Sequence, residues 1–192
     1  MVEQIIGDNE FECIKEDVTP IILNITAAGE NESTVERSIR IIKERTRCQI
    51  QYLSYARYPR VMVIGCIIFS TKALNNEVEM SKLSKDISPS ALITGRPDMN
   101  YKEIVSSTFG EYVDVYTASN AISDNNKRIT STVTLYLSSN LQGGWMFISR
   151  NSGRVLHRHQ WKKISTNQKI INRVEEPAIK ERQPYVSSNF KY

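Results

Sequence analysis

The sequence predicts an α+β fold in two parts, a helix-bearing first part and a small curled sheet or barrel after it. Three observations predict this. Val35, Ile39, Ile42, Thr46, Ile50 and Leu53 recur at alternating steps of three and four, which is the apolar stripe of an amphipathic helix. From "FGEYVDVYTA" (109–118) the period changes from helical to two, the alternation of a strand. Several short strand-like runs then crowd into about 55 residues with turn signals between them, leaving little room for helix.

Taken in order, "IIGDNEF" (5–11) is an apolar pair leading into Gly7-Asp8-Asn9, a strand end with a carboxylate at its tip. "PIILNIT" (20–26) is a β-branched run after a proline, consistent with a buried strand. "STVERSIRIIKER" (33–45) then opens the helix. Ser33-Thr34-Val35-Glu36 fits a capping box, and Glu36 and Arg40 stand at the i, i+4 spacing of a surface ion pair. "VMVIGCIIF" (61–69) is far short of the ~20 residues that span a bilayer. It follows Pro59, a residue suited to a helix start, and is predicted as a buried helix. "NEVEMSKLSKDISP" (76–89) is polar and ends at a proline, so it is predicted as a connection that "TGRPDMNYKE" continues.

In "RITSTVTLYLSS" the alternation places Ile129, Ser131, Val133, Leu135 and Leu137 on one face, with Thr130, Thr132, Thr134 and Tyr136 on the other. "GGWMFISR" and "RVLHRHQW" flank "NSG", a turn between strands. Trp145 and Phe147 share a face and are assigned to the core. His157 and His159 point the same way on their strand, but with no third ligand nearby they are not assigned a metal. "NQKIINRV" (167–174) is a short helix, and the tail beyond it, polar and proline-containing, is expected to be disordered.

The 192 residues are 40% hydrophobic and 24% charged, the balance of a globular protein. Three cysteines, Cys13, Cys48 and Cys66, form an odd set without a C-x-x-C pair. That argues against a disulfide framework or zinc site, and for a reducing compartment. Glu3 and Asp8 interrupt any apolar core of a cleaved signal. An intracellular location is expected, nuclear in a eukaryotic host, with no membrane partner. The net charge of +4 is unevenly spread. Residues 125–174 hold no acid and nine bases: Lys127, Arg128, Arg150, Arg154, Arg158, Lys162, Lys163, Lys169 and Arg173. That window is the electrostatic footprint of a polyanion-binding module.

The order of features carries a resemblance. "DNEF", "TAAGENESTVERSIRIIKER", "SPSALITGRPDMNYKE", "FGEYVDVY" and "LQGGWMFISRNSGRVLHRHQW" together resemble the integrase region of copia-type retrotransposon polyproteins, over residues 5 to 176. The resemblance implies a truncated ribonuclease-H-like core segment at 1–76, a linker at 77–108, a small Src-homology-3-like barrel at 109–174, and a tail at 175–192. It implies that Asp8 and Glu36 are the second and third members of an Asp-Asp-Glu set that binds Mg²⁺ or Mn²⁺. Such carboxylates are clustered because the reaction uses two divalent ions ~3.5–4 Å apart. The barrel of such proteins contacts nucleic acid, which implicates Lys127, Arg128, Arg150, Arg154, Arg158, Lys162 and Lys163, with Arg40 and Lys43 near the backbone from the helix.

Seven residues precede Asp8 and none is Asp, so the first catalytic Asp is not present. The expectation is a fragment of a longer element that binds DNA or RNA, associates with itself or with other integrase segments, and performs no strand transfer alone. Residues 100–176 are expected to fold by themselves, and the N-terminal third to be the less stable part. Two other readings stand beside it: a non-catalytic nucleic-acid-binding protein, and a decayed reading frame without a selected role.

Overall fold

The computed structural model describes residues 4–7, 9–25, 33–77, 86–95, 106–116, 129–138, 140 and 143–185. Its contacts separate two compact units, Met1–Lys43 and Glu44–Tyr192.

In the first unit, β1 (Gln4–Gly7) and β2 (Ile22–Ile25) pair in parallel, from Gln4 opposite Ile22 to Gly7 opposite Ile25. Parallel strands cannot be joined by a tight hairpin, and here the crossover contains a 3-10 helix, Asn9–Ile14. Helix α1 (Ser33–Gln51) follows and runs past the division between the units. Its predicted stripe is only half used: Val35 and Ile39 are each 46% exposed, while Thr46 and Ile50 are buried. Parallel sheets are ordinarily covered on both faces, and two strands alone are marginal; here Ile22 is 66% exposed. Amides of β2 are therefore expected to exchange faster than those of the long central strand of the second unit. Equal protection in a native-state hydrogen-exchange experiment would show that the apolar surface of this unit is covered in solution.

The second unit is built on a five-stranded antiparallel sheet. Its strands are β3 (Tyr112–Tyr116), β4 (Ile129–Leu137), β5 (Trp145–Ser149), β6 (Val155–Arg158) and β7 (Trp161–Lys163). Their spatial order is β6-β5-β4-β3-β7, a four-strand meander whose fifth strand returns to pair with the first. Only His159 and Gln160 separate β6 from β7, although these strands occupy opposite edges. A flat five-stranded sheet is about 19 Å from edge to edge at its usual strand spacing. Three Cα steps reach at most about 11 Å. The sheet must curl until its edges approach.

A bulge in β4 decides what each face of the sheet buries. The register jumps from Thr134 opposite Phe147 to Tyr136 opposite Met146, so Leu135 is the extra residue. The single alternating face predicted for Val133, Leu135 and Leu137 is therefore split. Val133 and Leu135 lie in one apolar cluster with Met62 and Cys66, while Leu137 joins Trp145, Phe147, Val113 and Val115 in another. Thr132 and Thr134, predicted for the opposite face, are fully buried. Their hydroxyls are satisfied by backbone: Thr132 Oγ1 donates to Val113 O at 3.2 Å, and Thr134 Oγ1 donates to Thr108 O.

Helix α2 (Arg60–Asn76) covers the outer face of this sheet. Pro59 stands at its N-cap rather than inside the first turn. The close approach depends on Gly65, where an added Cβ would lie 3.0 Å from Leu135 Cδ2. Arg45 of α1 forks onto Glu77 at the end of α2, at 2.6 and 2.7 Å, the bidentate geometry of a strong pair. Helix α3 (Pro89–Thr94) interrupts the predicted connection; Ser88 Oγ caps it by accepting from Ala91 N–H.

Helix α4 (Gln168–Lys180) starts where the short helix was expected, and departs from the expectation by running on into the tail predicted to be disordered. It continues through Pro177, and Ile170, Val174 and Ala178 form its buried stripe. Two carboxylates hold it in place. Glu175 Oε1 accepts from Ala56 N–H and Glu181 Oε2 from Arg60 N–H, both at 2.6 Å. Proline offers no side-chain cap at Pro59, so Glu181 serves the start of α2, where a negative charge also suits the helix dipole. Residues 186–192 of the expected tail lie outside the described residues. The division expected at 76/77 and 108/109 does not follow the contacts, because α2 and the sheet share one core.

Candidate functional site

The carboxylate pair comes first. Asp8 lies outside the described residues, immediately beyond the end of β1. Glu36 is exposed in the first turn of α1, where a negative charge favours the helix dipole. Among the described residues it makes no ion pair with Arg40, which is exposed on the same helix, as is Lys43. No three His, Cys, Asp or Glu side chains among the described residues are grouped so as to hold a metal. The Mg²⁺ or Mn²⁺ implied by the resemblance therefore finds in the described residues one exposed carboxylate, too few for a two-ion centre, and no chemical step is assigned to it.

The basic window is better defined, although Lys127 and Arg128 lie outside the described residues. Register places the others. Asp114 stands opposite Ser131 on one side and Lys162 on the other, and Arg150 N–H donates to Ser131 O at 3.2 Å. The next row runs Ser149, Thr132, Val113, Lys163, and Ser149 N–H donates to Arg154 O at 2.9 Å. Arg150, Arg154, Lys162 and Lys163 are thus brought to one end of the sheet. Arg158 pairs with Trp145 at the other end.

These side chains are not equivalent. Arg154 and Lys162 are exposed. Arg150 is half-buried, its Nη1 donates to Tyr112 Oη at 2.9 Å, and its Nε is buried without a partner among the described residues. It braces β3 against the β5–β6 turn more than it reaches outward. Arg158 is also half-buried, and its Nη1 donates to His157 O at 2.7 Å. Lys163 Nζ pairs with Glu111 Oε1 at 2.9 Å. Trp145 and Phe147 are buried in the sheet's inner cluster, unavailable for stacking on a base.

Glu111 is a contributor that alternation does not reveal, since only the pairing of β3 with β7 brings it to Lys163. Burial opposes its ionised form. Hydrogen bonds from Ser107 Oγ, Lys163 Nζ and Thr108 N–H, with the Lys163 charge, outweigh that and hold its carboxyl below the ordinary carboxylate value. A lowered folded value means that the contribution to stability is complete above the unfolded pKa and is lost as pH falls through the folded one. Glu111→Gln is therefore expected to reduce the loss of urea stability between about pH 5 and pH 3. An identical acid slope in wild type and variant would show that Glu111 makes no such contribution.

Among the described residues no helix is long and apolar enough to cross a membrane. No family model, curated protein or solved structure matches this chain.

Proposed function

We propose that the second unit is a nucleic-acid-binding barrel of the Src-homology-3-like kind, and that the chain is a segment of a copia-type integrase. The observation that carries the binding reading is the acid-free window of nine bases. Seven of them lie among the described residues, between the end of β5 and the first half of α4, with Arg154 and Lys162 exposed at one end of the sheet. A meander of four strands, closed by a fifth that pairs with the first, supports the barrel assignment. The parallel β1–β2 pair followed by α1 supports a ribonuclease-H-like segment, with Asp8 beyond the end of β1 and Glu36 at the start of α1. Binding needs neither carboxylate, so the two parts of the proposal are separable.

The contact is to phosphates and tolerates any sequence. Fluorescence anisotropy of the full chain with labelled duplexes of unrelated sequence tests it. Affinity should fall with salt at a log–log slope of roughly −0.9 per neutralised phosphate. Arg154→Ala with Lys162→Ala should weaken binding about equally for all sequences and flatten the slope by ~2. Binding that is absent at about 50 mM salt sinks the reading, since a phosphate-driven contact is strongest there. An unchanged slope in the double variant removes these two residues from the interface.

A further inference from the structure

The two histidines of the chain, His157 and His159, stand where β6 turns toward β7. Their ring centroids are 4.8 Å apart with planes at 72°. His157 Nε2 lies 2.9 Å from the carbonyl oxygen of Gly143. A Cβ on Gly144 would stand 2.7 Å from His157 Nε2, 2.9 Å from His159 Nδ1 and 2.9 Å from Arg158 O. Two imidazole nitrogens and a carbonyl oxygen therefore converge on a spot that stays open only because residue 144 has no side chain. Gly144 also holds φ +91, a conformation that favours glycine.

We propose that this corner is a transition-metal site, in which Ni²⁺, Cu²⁺ or Zn²⁺ is held by His157 Nε2 and His159 Nδ1. Imidazole suits these ions and not Mg²⁺ or Ca²⁺. A ring nitrogen at about 2.0–2.1 Å from the ion places its ring centroid about 3.2 Å away, so two rings at about 90–110° lie about 4.5–5.2 Å apart. The observed ring separation falls inside that interval. In the tautomer that donates to Gly143 O, the proton first moves from Nε2 to Nδ1 through solvent, and the Nε2 lone pair of the still neutral imidazole then binds the ion. An ion bound to both Nε2 and Gly143 O would see them at about 90°, given their separation and usual bond lengths.

Among the described residues no third His, Cys, Asp or Glu joins the pair, so carbonyl oxygens and water complete the shell and the ion is exchangeable. Arg158 projects from the opposite side of β6 by strand alternation; its nearby charge lowers the affinity without occupying the site. The bound ion would join the two-residue corner that closes the curled sheet to the segment entering β5. Metal binding therefore stabilises the fold as well as occupying a site.

The test uses the full chain carrying Cys13→Ser and Cys48→Ser, which removes the exposed thiols as competing ligands. Ni²⁺ alone is titrated, with calorimetry and thermal melting as readouts. One ion per chain and a raised Tm are expected. His159→Gln and His157→Gln should each weaken binding by at least the ~10-fold that loss of a merely supporting partner costs. His157→Gln keeps an amide N–H for Gly143 O; should it fail to fold, His159→Gln, which alters an exposed ring, decides alone. No binding at about 1 mM Ni²⁺, a very weak association, overturns the proposal. So does undiminished affinity in the folded histidine variants.

Discussion

A fragment of residues 100–176 is expected to show no cooperative unfolding transition, against the expectation from sequence that it folds by itself, while a fragment of residues 44–185 unfolds cooperatively. The shorter piece holds every strand of the curled sheet but loses what covers its outer face. Val133 and Leu135, each 1% exposed, pack in a cluster with Ile50, Tyr55, Tyr58, Met62 and Cys66, all of which the shorter piece lacks. Each such side chain contributes roughly 1.5–3 kcal/mol when buried, so losing five removes as much as the about 5–15 kcal/mol by which a domain is stable. The cut at 176 also removes Ala178 and Glu181. Urea titration followed by near-ultraviolet circular dichroism checks this. A sharp transition in the 100–176 fragment would mean that the strands close on themselves without α2 and α4.

Phe147→Ala should cost about 3–5 kcal/mol, as expected for deleting a buried aromatic ring. Phe147 is fully buried in the inner cluster, its ring centroid 5.5 Å from that of Trp161. Trp161 belongs to the strand that closes the sheet, so the vacancy falls where the two edges meet. Val155→Ala, at a residue 40% exposed, should stay within about 0.5 kcal/mol of wild type and serves as the control. A Phe147→Ala cost under about 1.5 kcal/mol would mean that the inner cluster collapses into the space, contrary to the close packing that proteins of this kind maintain.

Much of the fold was legible. The change of period near residue 109, the turn at "NSG" and the apolar helix after Pro59 all depend on local alternation, and each appears where that alternation stands. The bulge at Leu135 was not legible, because a run of regular alternation carries no mark of a register shift imposed by a partner strand. The sequence also marks α2 as buried without saying against what. Helix α4 could have been extended: Ile170, Val174 and Ala178 recur at steps of four, and Pro177 concealed that stripe. Of the candidate site, the basic window was evident from composition, whereas the division between outward Arg154 and braced Arg150 was not. That division depends on where the Tyr112 hydroxyl lies.

Helix α4 has a consequence for the order in which this chain can be made. Its carboxylates serve backbone groups at Ala56 and Arg60, which leave the ribosome more than a hundred residues earlier. Until Val174 emerges the outer core lacks Ile170 and Val174, and until Glu181 follows the start of α2 lacks its cap. The second unit cannot complete its fold progressively during translation. Its core closes late, across separations of more than a hundred residues, and contacts of that kind slow folding. A nascent chain stalled with residue 165 just clear of the exit tunnel should remain sensitive to protease throughout 44–165, and become resistant once residue 185 has cleared it.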